Sequence, residues 1–83
     1  MTPDVLKSKI ETLAPGTQAF VMDMTGTLDH YQAVVVSSAF TGIPMIKQHR
    51  MVMAIVQTEV DSGEVHALTI KTFTPEQYAK FSE

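Results

Sequence analysis

Hydrophobic residues in this chain switch repeatedly between the spacing of a helix and the alternation of a strand, and the order of these patterns limits the folds open to it. The first pattern predicts a helix that has Thr2 as its N-cap and Pro3 in its first turn, and that ends at Pro15-Gly16. Alternation over residues 18–25 and a valine-rich run over residues 30–38 predict two strands joined as a hairpin.

Helical spacing then returns from Met45 to about Asp61, which predicts the longest helix of the chain. Residues 65–72 alternate and are rich in β-branched residues, so they predict a third strand. Thr74 and Gln77 form a capping box that begins a short last helix. The order α-β-β-α-β-α predicts an α+β fold in which helices pack on one face of a three-stranded sheet. Periodicity leaves open where the third strand pairs.

Two finer expectations come from the same patterns. Alternation places Phe20, Met22 and Met24 on one face of the first strand. Phe73 precedes the capping box and is expected to pack on Tyr78 as a hydrophobic staple, which would fix the direction of the last helix.

The length of 83 residues predicts a single domain spanning residues 1–83. Hydrophobic residues make up 45% of the chain, which is enough to form a core without a partner. No apolar run approaches the roughly 20 residues of a membrane-spanning helix, and charged residues interrupt the N-terminal stretch where a signal peptide would be apolar. We therefore expect a soluble, cytoplasmic protein that does not act in a membrane.

The sequence offers little for catalysis. It has no G-x-G-x-x-G or P-loop string for nucleotide phosphates, and no nucleophile with an evident base. Asp23 and Asp29 flank the hairpin loop and could form a carboxylate pair, but aspartate is also common at turns for its own hydrogen bonding. We expect a protein that is not an enzyme.

The chain has no cysteine, so a metal site would have to use histidine, carboxylate or a partner's ligands. His49 lies on the apolar stripe of the long helix and is expected to be a buried, hydrogen-bonded core residue. His30 and His66 each begin a predicted strand, so both could lie at the same edge of the sheet. Two imidazoles do not complete a four-coordinate metal shell, so a second molecule would supply the other ligands.

Three basic residues give a competing hypothesis. Lys47 and Arg50 lie near the start of the long helix, and Lys71 lies on the third strand. Together they could contact phosphates or an acidic partner, or they could simply form a solvated surface. The net charge of −3 works against broad binding to a phosphate backbone.

The strings VVVSSAFTGIPMIKQHRMVMAIV and VHALTIKTFTPEQY resemble the BolA family, whose signature has a strand ending in V-S-x-x-F-x-G, a helix with an (R/Q)-H-R-x-V core, and a late V-H-A-L-x-(I/L)-K-T-x-T-P strand. The resemblance implies an α-β-β-α-β-α fold with a mixed three-stranded sheet, similar to the class II KH fold. It also implies a non-enzymatic protein that forms a heterodimer with a monothiol glutaredoxin. In that complex a 2Fe–2S cluster is held by the glutaredoxin cysteine, a glutathione thiol and histidine nitrogen.

The resemblance also implies which residues bind the cluster. His66, within VHAL, matches the family's C-terminal ligand histidine. The family's second ligand is a Cys or His in or just after the loop between the first two strands. The loop TGTLD has neither, and His30 at its end is the candidate. Free, the protein is expected to be a monomer or a weak homodimer without a cluster.

The KH-like fold implies an alternative function, in which the protein binds DNA as a transcriptional regulator, for example in a stress response. This chain lacks the G-x-x-G loop with which KH modules hold a nucleic-acid backbone. Together with the negative net charge, this predicts weak DNA binding that falls steeply with salt.

Overall fold

The computed structural model describes residues 2–24, 26 and 30–81, and within them the predicted α-β-β-α-β-α order is confirmed. The elements are α1 (Pro3–Ile10), β1 (Gln18–Asp23), β2 (His30–Val36), α2 (Met45–Asp61), β3 (Ala67–Phe73) and α3 (Pro75–Phe81), with 3-10 turns at Glu11–Leu13 and Ser38–Phe40. The strands are slightly shorter than predicted, and β3 begins one residue after His66.

The sheet is mixed and has the order β1-β2-β3. β1 pairs with β2 antiparallel, as a hairpin should, with Gln18 opposite Val36. β3 pairs with the other side of β2 in parallel, with His30 opposite Ala67 and Val36 opposite Phe73. The parallel pairing requires a crossover, which α2 provides. β2 is therefore the central strand, and it pairs with β1 from the first half of the chain and with β3 from the second half.

Local signals at the start of α3 are confirmed in detail. The Thr74 N–H donates to Gln77 Oε1 at 3.0 Å, and the Gln77 N–H donates to Thr74 Oγ1 at 3.2 Å. The rings of Phe73 and Tyr78 meet edge-to-face with centroids 5.9 Å apart. The capping box and the staple together fix where the chain turns from β3 into α3.

Helices α1 and α2 cover one face of the sheet. The core between them consists of buried side chains from both helices, the 3-10 turn before α2, the segment before β3, and the inward positions of β1 and β2, namely Leu6, Ile10, Ala19, Tyr31, Ala33, Val35, Phe40, Val52, Val56 and Val65. Leu68 and Ile70 of β3 pack against this cluster. Apolar burial on this face is the main source of stability expected for a domain of this size.

The placement of α3 differs from the expectation that the helices share one face. Alternation directs Phe20 and Phe73 away from the α1–α2 core, and the Tyr78 ring of α3 stacks on Phe20 with centroids 5.6 Å apart. Because the staple joins Tyr78 to Phe73, α3 is held on the side of the sheet to which Phe73 points. Phe20 and Met22 remain 44% and 60% exposed, so α3 covers only part of this face.

The expectation that His49 is a buried core residue is wrong. His49 is half-buried, and Met45, the first residue of the predicted helix, is 65% exposed. The buried positions of α2 are Gln48, Val52, Val56 and Glu59. Gln48 takes the inward position because its amide is fully used there: Nε2 donates to the Ile43 carbonyl at 2.7 Å, and Oε1 accepts from the Thr72 hydroxyl at 2.6 Å.

No helix in the part of the chain that the structure describes is long and apolar enough to span a bilayer.

Candidate functional site

His30 and His66 meet at one edge of the sheet, as their positions at strand starts predict. His30 is the first residue of β2, and His66 directly precedes β3. Because these strands are parallel and His30 lies opposite Ala67, both histidines fall at the same end of the pair. Their ring centroids are 5.1 Å apart, with the ring planes inclined at 54°. The structure therefore brings two imidazoles into direct contact.

The two histidines are accessible to a partner in different degrees. His66 is exposed, whereas His30 is half-buried. The next residue before His66, Val65, is only 1% exposed, and its N–H donates to the Glu59 carbonyl at 3.1 Å. The buried Val65 thus ties the segment before β3 to the end of α2, while the adjacent His66 remains open to solvent.

The end of β1 lies beside His30 on the side of β2 that faces away from β3. The Met24 N–H donates to the His30 carbonyl at 2.8 Å, which continues the β1–β2 ladder by one bond beyond β1. Asp23 Oδ1 accepts from the Gly26 N–H at 3.1 Å, the kind of local contact that makes aspartate common in turns. Asp29 lies outside the described residues, so the possible Asp23–Asp29 carboxylate pair stays a hypothesis.

The ligand set at this edge is incomplete for a metal cluster held by one chain. Among residues 2–24, 26 and 30–81, no group of three or more His, Asp or Glu side chains could hold a metal ion. The chain also has no cysteine. Two imidazoles could supply part of a mixed histidine–thiolate shell, and the thiolates would have to come from another molecule.

The predicted basic surface is divided by the sheet. Lys47 and Arg50 are exposed on α2, which packs on the core face. Lys71 is exposed on β3 between Ile70 and Thr72, whose side chains point to the core, so it points to the opposite face. The structure does not bring these three residues together.

Sequence reasoning missed Met24 as a backbone neighbour of His30. Its backbone is hydrogen-bonded opposite His30, and its side chain is 55% exposed. The hairpin register would have revealed this neighbour, but register depends on loop geometry that the residue types in the loop do not fix.

Comparison with known proteins agrees with this fold. The BolA-like protein family model matches residues 8–77, which is most of the chain. The chain belongs to the BolA-like family. BolA-like protein 1 of Homo sapiens is 32% identical to it over 87 residues, an alignment that includes 100% of this chain and 56% of the human protein. The chain spans about half the length of the curated relatives that it matches first.

Solved BolA structures share the architecture. A BolA protein homologue from Coxiella burnetii superposes with a TM-score of 0.80 at 29% identity, covering 95% of this chain and 97% of that one. The BolA domain of SufE1 from Arabidopsis thaliana superposes with a TM-score of 0.77 at 29% identity, covering 89% and 92%. The mixed three-stranded sheet with three helices is thus the fold of this BolA-like protein.

Proposed function

We propose that this protein forms a heterodimer with a monothiol glutaredoxin and shares with it a glutathione-ligated 2Fe–2S cluster, in cytoplasmic iron–sulfur trafficking or iron sensing. His66 is the principal iron ligand from this chain and His30 is the second. The observation that carries the proposal is the contact of the two imidazoles, 5.1 Å apart between centroids, at an edge where His66 is exposed.

The chemistry of the donor set supports a shared cluster. A 2Fe–2S cluster is usually held by four thiolates, and in some centres two histidines replace two cysteines on one iron. This chain contributes imidazoles and no thiolates, whereas a monothiol glutaredoxin with bound glutathione contributes thiolates. Exchanging thiolates for neutral imidazoles raises the reduction potential of the cluster, a property suited to transfer or sensing.

The position of the pair supports access by a second protein. A buried pair would exclude the partner's cysteine, but His66 is exposed and follows the turn at Gly63. Val65 fixes the backbone beside it, so little ordering of this chain would be needed on binding. BolA-like proteins are generally not enzymes, and the proposal assigns binding and no catalysis to this chain.

No specific observation among the described residues favours the DNA-binding alternative. Lys47 and Arg50 lie on the other side of the sheet from Lys71, and the net charge is −3. We therefore keep the glutaredoxin partner as the proposal.

The test is a titration of this protein into a monothiol glutaredoxin that carries its glutathione-ligated cluster, followed by visible absorbance and circular dichroism. Wild-type protein should give a saturating spectral change. His66→Ala should abolish that change, and His30→Ala should weaken it. His49→Ala is the matched control, because it removes a half-buried imidazole from α2 and should leave the titration unchanged. An unchanged spectrum with the wild-type protein, together with no co-elution of the two proteins, would refute the proposal.

A further inference from the structure

The two outer strands of the sheet differ in how their free edges are covered. β1 and β3 are both edge strands, because the sheet has the order β1-β2-β3. On β1 the Ala19 N–H donates to the Glu11 carboxylate at 3.1 Å, and the Ala19 carbonyl accepts from the Lys7 ammonium at 3.0 Å. Side chains from the first helical segment therefore satisfy the β1 backbone at this point and keep another strand from pairing with it there.

The free edge of β3 is identified by the direction of its backbone groups. The Ser37 N–H donates to the Phe73 carbonyl, so the backbone of Phe73 faces β2. Successive residues of a strand direct their N–H and carbonyl groups to opposite sides, so those of Leu68 and Ile70 face away from β2. Within the part of the chain that the structure describes, no group from another element is hydrogen-bonded to them. These two residues therefore offer unused backbone donors and acceptors to another strand.

The accessible part of the β3 edge is residues 67–71. Ala67, Thr69 and Lys71 are exposed, whereas Thr72 is buried. The two inward side chains between the exposed ones are only half-buried, because β3 has a neighbouring strand on one side alone. β3 contains no proline or glycine and a single charge, so it has few of the features that keep edge strands from pairing. Another strand added here would bury apolar surface as well as backbone groups.

The side chains along this edge favour a second copy of the same strand. Antiparallel pairing centred on Thr69 brings Leu68 opposite Ile70 of the other copy. It also brings the two Thr69 side chains together, and both kinds of cross-strand pair are favourable. Lys71 falls opposite Ala67, so no like charges face each other. A foreign peptide would be selected by pockets for its alternate side chains, and the described part of the chain has no cavity beside β3.

We propose that this protein forms a homodimer in which β3 pairs antiparallel with the β3 of a second copy, around a two-fold axis at Thr69. The contact uses the same surface on both copies, so the assembly closes at two chains. His66 lies three residues before Thr69. At about 3.3 Å per residue, the two His66 positions are about 20 Å apart along the strands. Each copy therefore keeps its own histidine pair, and the dimer does not depend on the proposed cluster-sharing complex.

The first test is a charge exchange at the axis, measured by sedimentation equilibrium over a range of protein concentrations. Thr69→Lys places two positive charges directly opposite each other, and Thr69→Glu places two negative charges there. Each variant alone should raise the dimer dissociation constant by about fivefold, the upper range for one cross-strand pair. An equimolar mixture of the two variants should dimerise at least as tightly as the wild-type protein, because opposite charges then meet. Recovery in the mixture also shows that both variants are folded.

Thr12 provides the matched control. It is exposed in the 3-10 turn that precedes β1, away from the β3 edge. Thr12→Lys and Thr12→Glu make the same changes in net charge as the variants at the axis. Each should dimerise like the wild-type protein, and their mixture should bind no more tightly than either variant alone.

The second test locates the contact by amide hydrogen exchange at low and high protein concentration. The Leu68 and Ile70 amides should exchange more slowly at the higher concentration, where their N–H groups are hydrogen-bonded to the second copy. The Ala19 amide should exchange at the same rate at both concentrations, because it is already bonded to Glu11 within one chain.

A protein that remains monomeric at the higher concentration would overturn the proposal. A dimer in which the Leu68 and Ile70 amides gain no protection would show that another surface forms the contact. Two axis variants that weaken the dimer without recovering in the mixture would contradict the register around Thr69. Neither test contains glutaredoxin, glutathione or iron, so their results do not depend on whether the cluster-sharing proposal is correct.

Discussion

The two ends of the parallel β2–β3 pair differ in what their side chains do. At the start of both strands lies the histidine end, His30 and His66, of which His66 is exposed and His30 is half-buried. At the other end lies the polar anchor, which we define as Ser37, Gln48 and Thr72, all three buried. The Ser37 N–H donates to the Phe73 carbonyl at 3.0 Å, and the Thr72 hydroxyl donates to Gln48 at 2.6 Å.

The comparison shows that buried contacts at one end of the strand pair can fix the positions of residues at the other end. A parallel ladder has one register along its whole length, so the polar anchor that fixes Val36 opposite Phe73 also fixes His30 opposite Ala67. A slip of one residue would turn the side chains of β3 to the wrong face. The histidine end can therefore remain exposed and available for ligands without having to hold the sheet together.

The largest expected effect is a stability difference between the two ends. Phe40 is 1% exposed, and its carbonyl accepts from Gln48 of the polar anchor. Phe40→Ala should lower the free energy of unfolding by about 3–5 kcal/mol, because it leaves a cavity. His66→Ala, at an exposed position, should change it by no more than about 0.5 kcal/mol. Urea unfolding followed by circular dichroism measures both. Comparable losses in the two variants would mean that the histidine end is structural.

A smaller effect is expected from the hydrogen bonds of the polar anchor. Gln48→Met keeps the side-chain length but leaves the Thr72 hydroxyl and the Ile43 carbonyl without their partner. The free energy of unfolding should fall by about 1–3 kcal/mol, the usual cost of an unsatisfied buried polar group. Gln57→Met is the matched control on the same helix, since Gln57 is exposed and its amide donates within α2 to Asp61. If both variants lose the same free energy of unfolding, the buried hydrogen bonds of the polar anchor do not contribute more to stability than an exposed one.

The smallest expected effect is on the pH dependence of the free energy of unfolding. It involves Glu59 of α2, which is hydrogen-bonded to the segment before His66. Glu59, whose carbonyl receives the Val65 N–H, is paired through its carboxylate with Lys9 of α1. The hydrogen bond from Lys9 lowers the pKa of the Glu59 carboxyl below its ordinary value. The pair therefore stabilises the fold fully above the pKa of the unfolded chain, and this stabilisation is lost as pH falls through the lower folded pKa.

Glu59→Gln should accordingly reduce the drop in urea midpoint between about pH 7 and about pH 3, a window that contains the ordinary glutamate pKa. Glu76→Gln, at an exposed position of α3, is the control and should retain the wild-type pH dependence. The Glu11 carboxyl, whose pKa is lowered by Lys7, should account for part of the dependence that remains. Identical pH profiles for wild type and Glu59→Gln would show that this charge pair does not contribute to the pH dependence of stability.

Much of the fold could be predicted because its signals are local. The capping box of Thr74 and Gln77 and the N-cap at Thr2 depend on residues within one helical turn, and the structure confirms both. The strand that pairs with β3 could not be predicted. Alternation shows which side chains share a face of a strand, but it does not show which strand lies next to it. The side on which α3 lies depends on the same pairing, through the direction of Phe73.

The candidate site was predictable to a similar extent. His30 and His66 could be placed at strand starts from the sequence, but their contact requires the parallel pairing that only the structure shows. The position of His49 was mispredicted because hydropathy ranks Gln48 as a surface residue, whereas tertiary hydrogen bonds satisfy its amide inside the protein. The hydrogen bond between Met24 and His30 was not predicted because the hairpin register also depends on the geometry of the turn.

The most direct test of the central claim is to count histidine nitrogens on the iron. Protein labelled with ¹⁵N only in histidine would be combined with a cluster-loaded monothiol glutaredoxin, and the reduced complex would be studied by pulsed electron paramagnetic resonance. The account predicts strong ¹⁵N hyperfine couplings from both His66 and His30, with the His66 coupling absent in His66→Ala and the His30 coupling absent in His30→Ala. A reduced cluster without a strong ¹⁵N coupling would contradict the account, because this chain would then supply no ligand to the shared cluster.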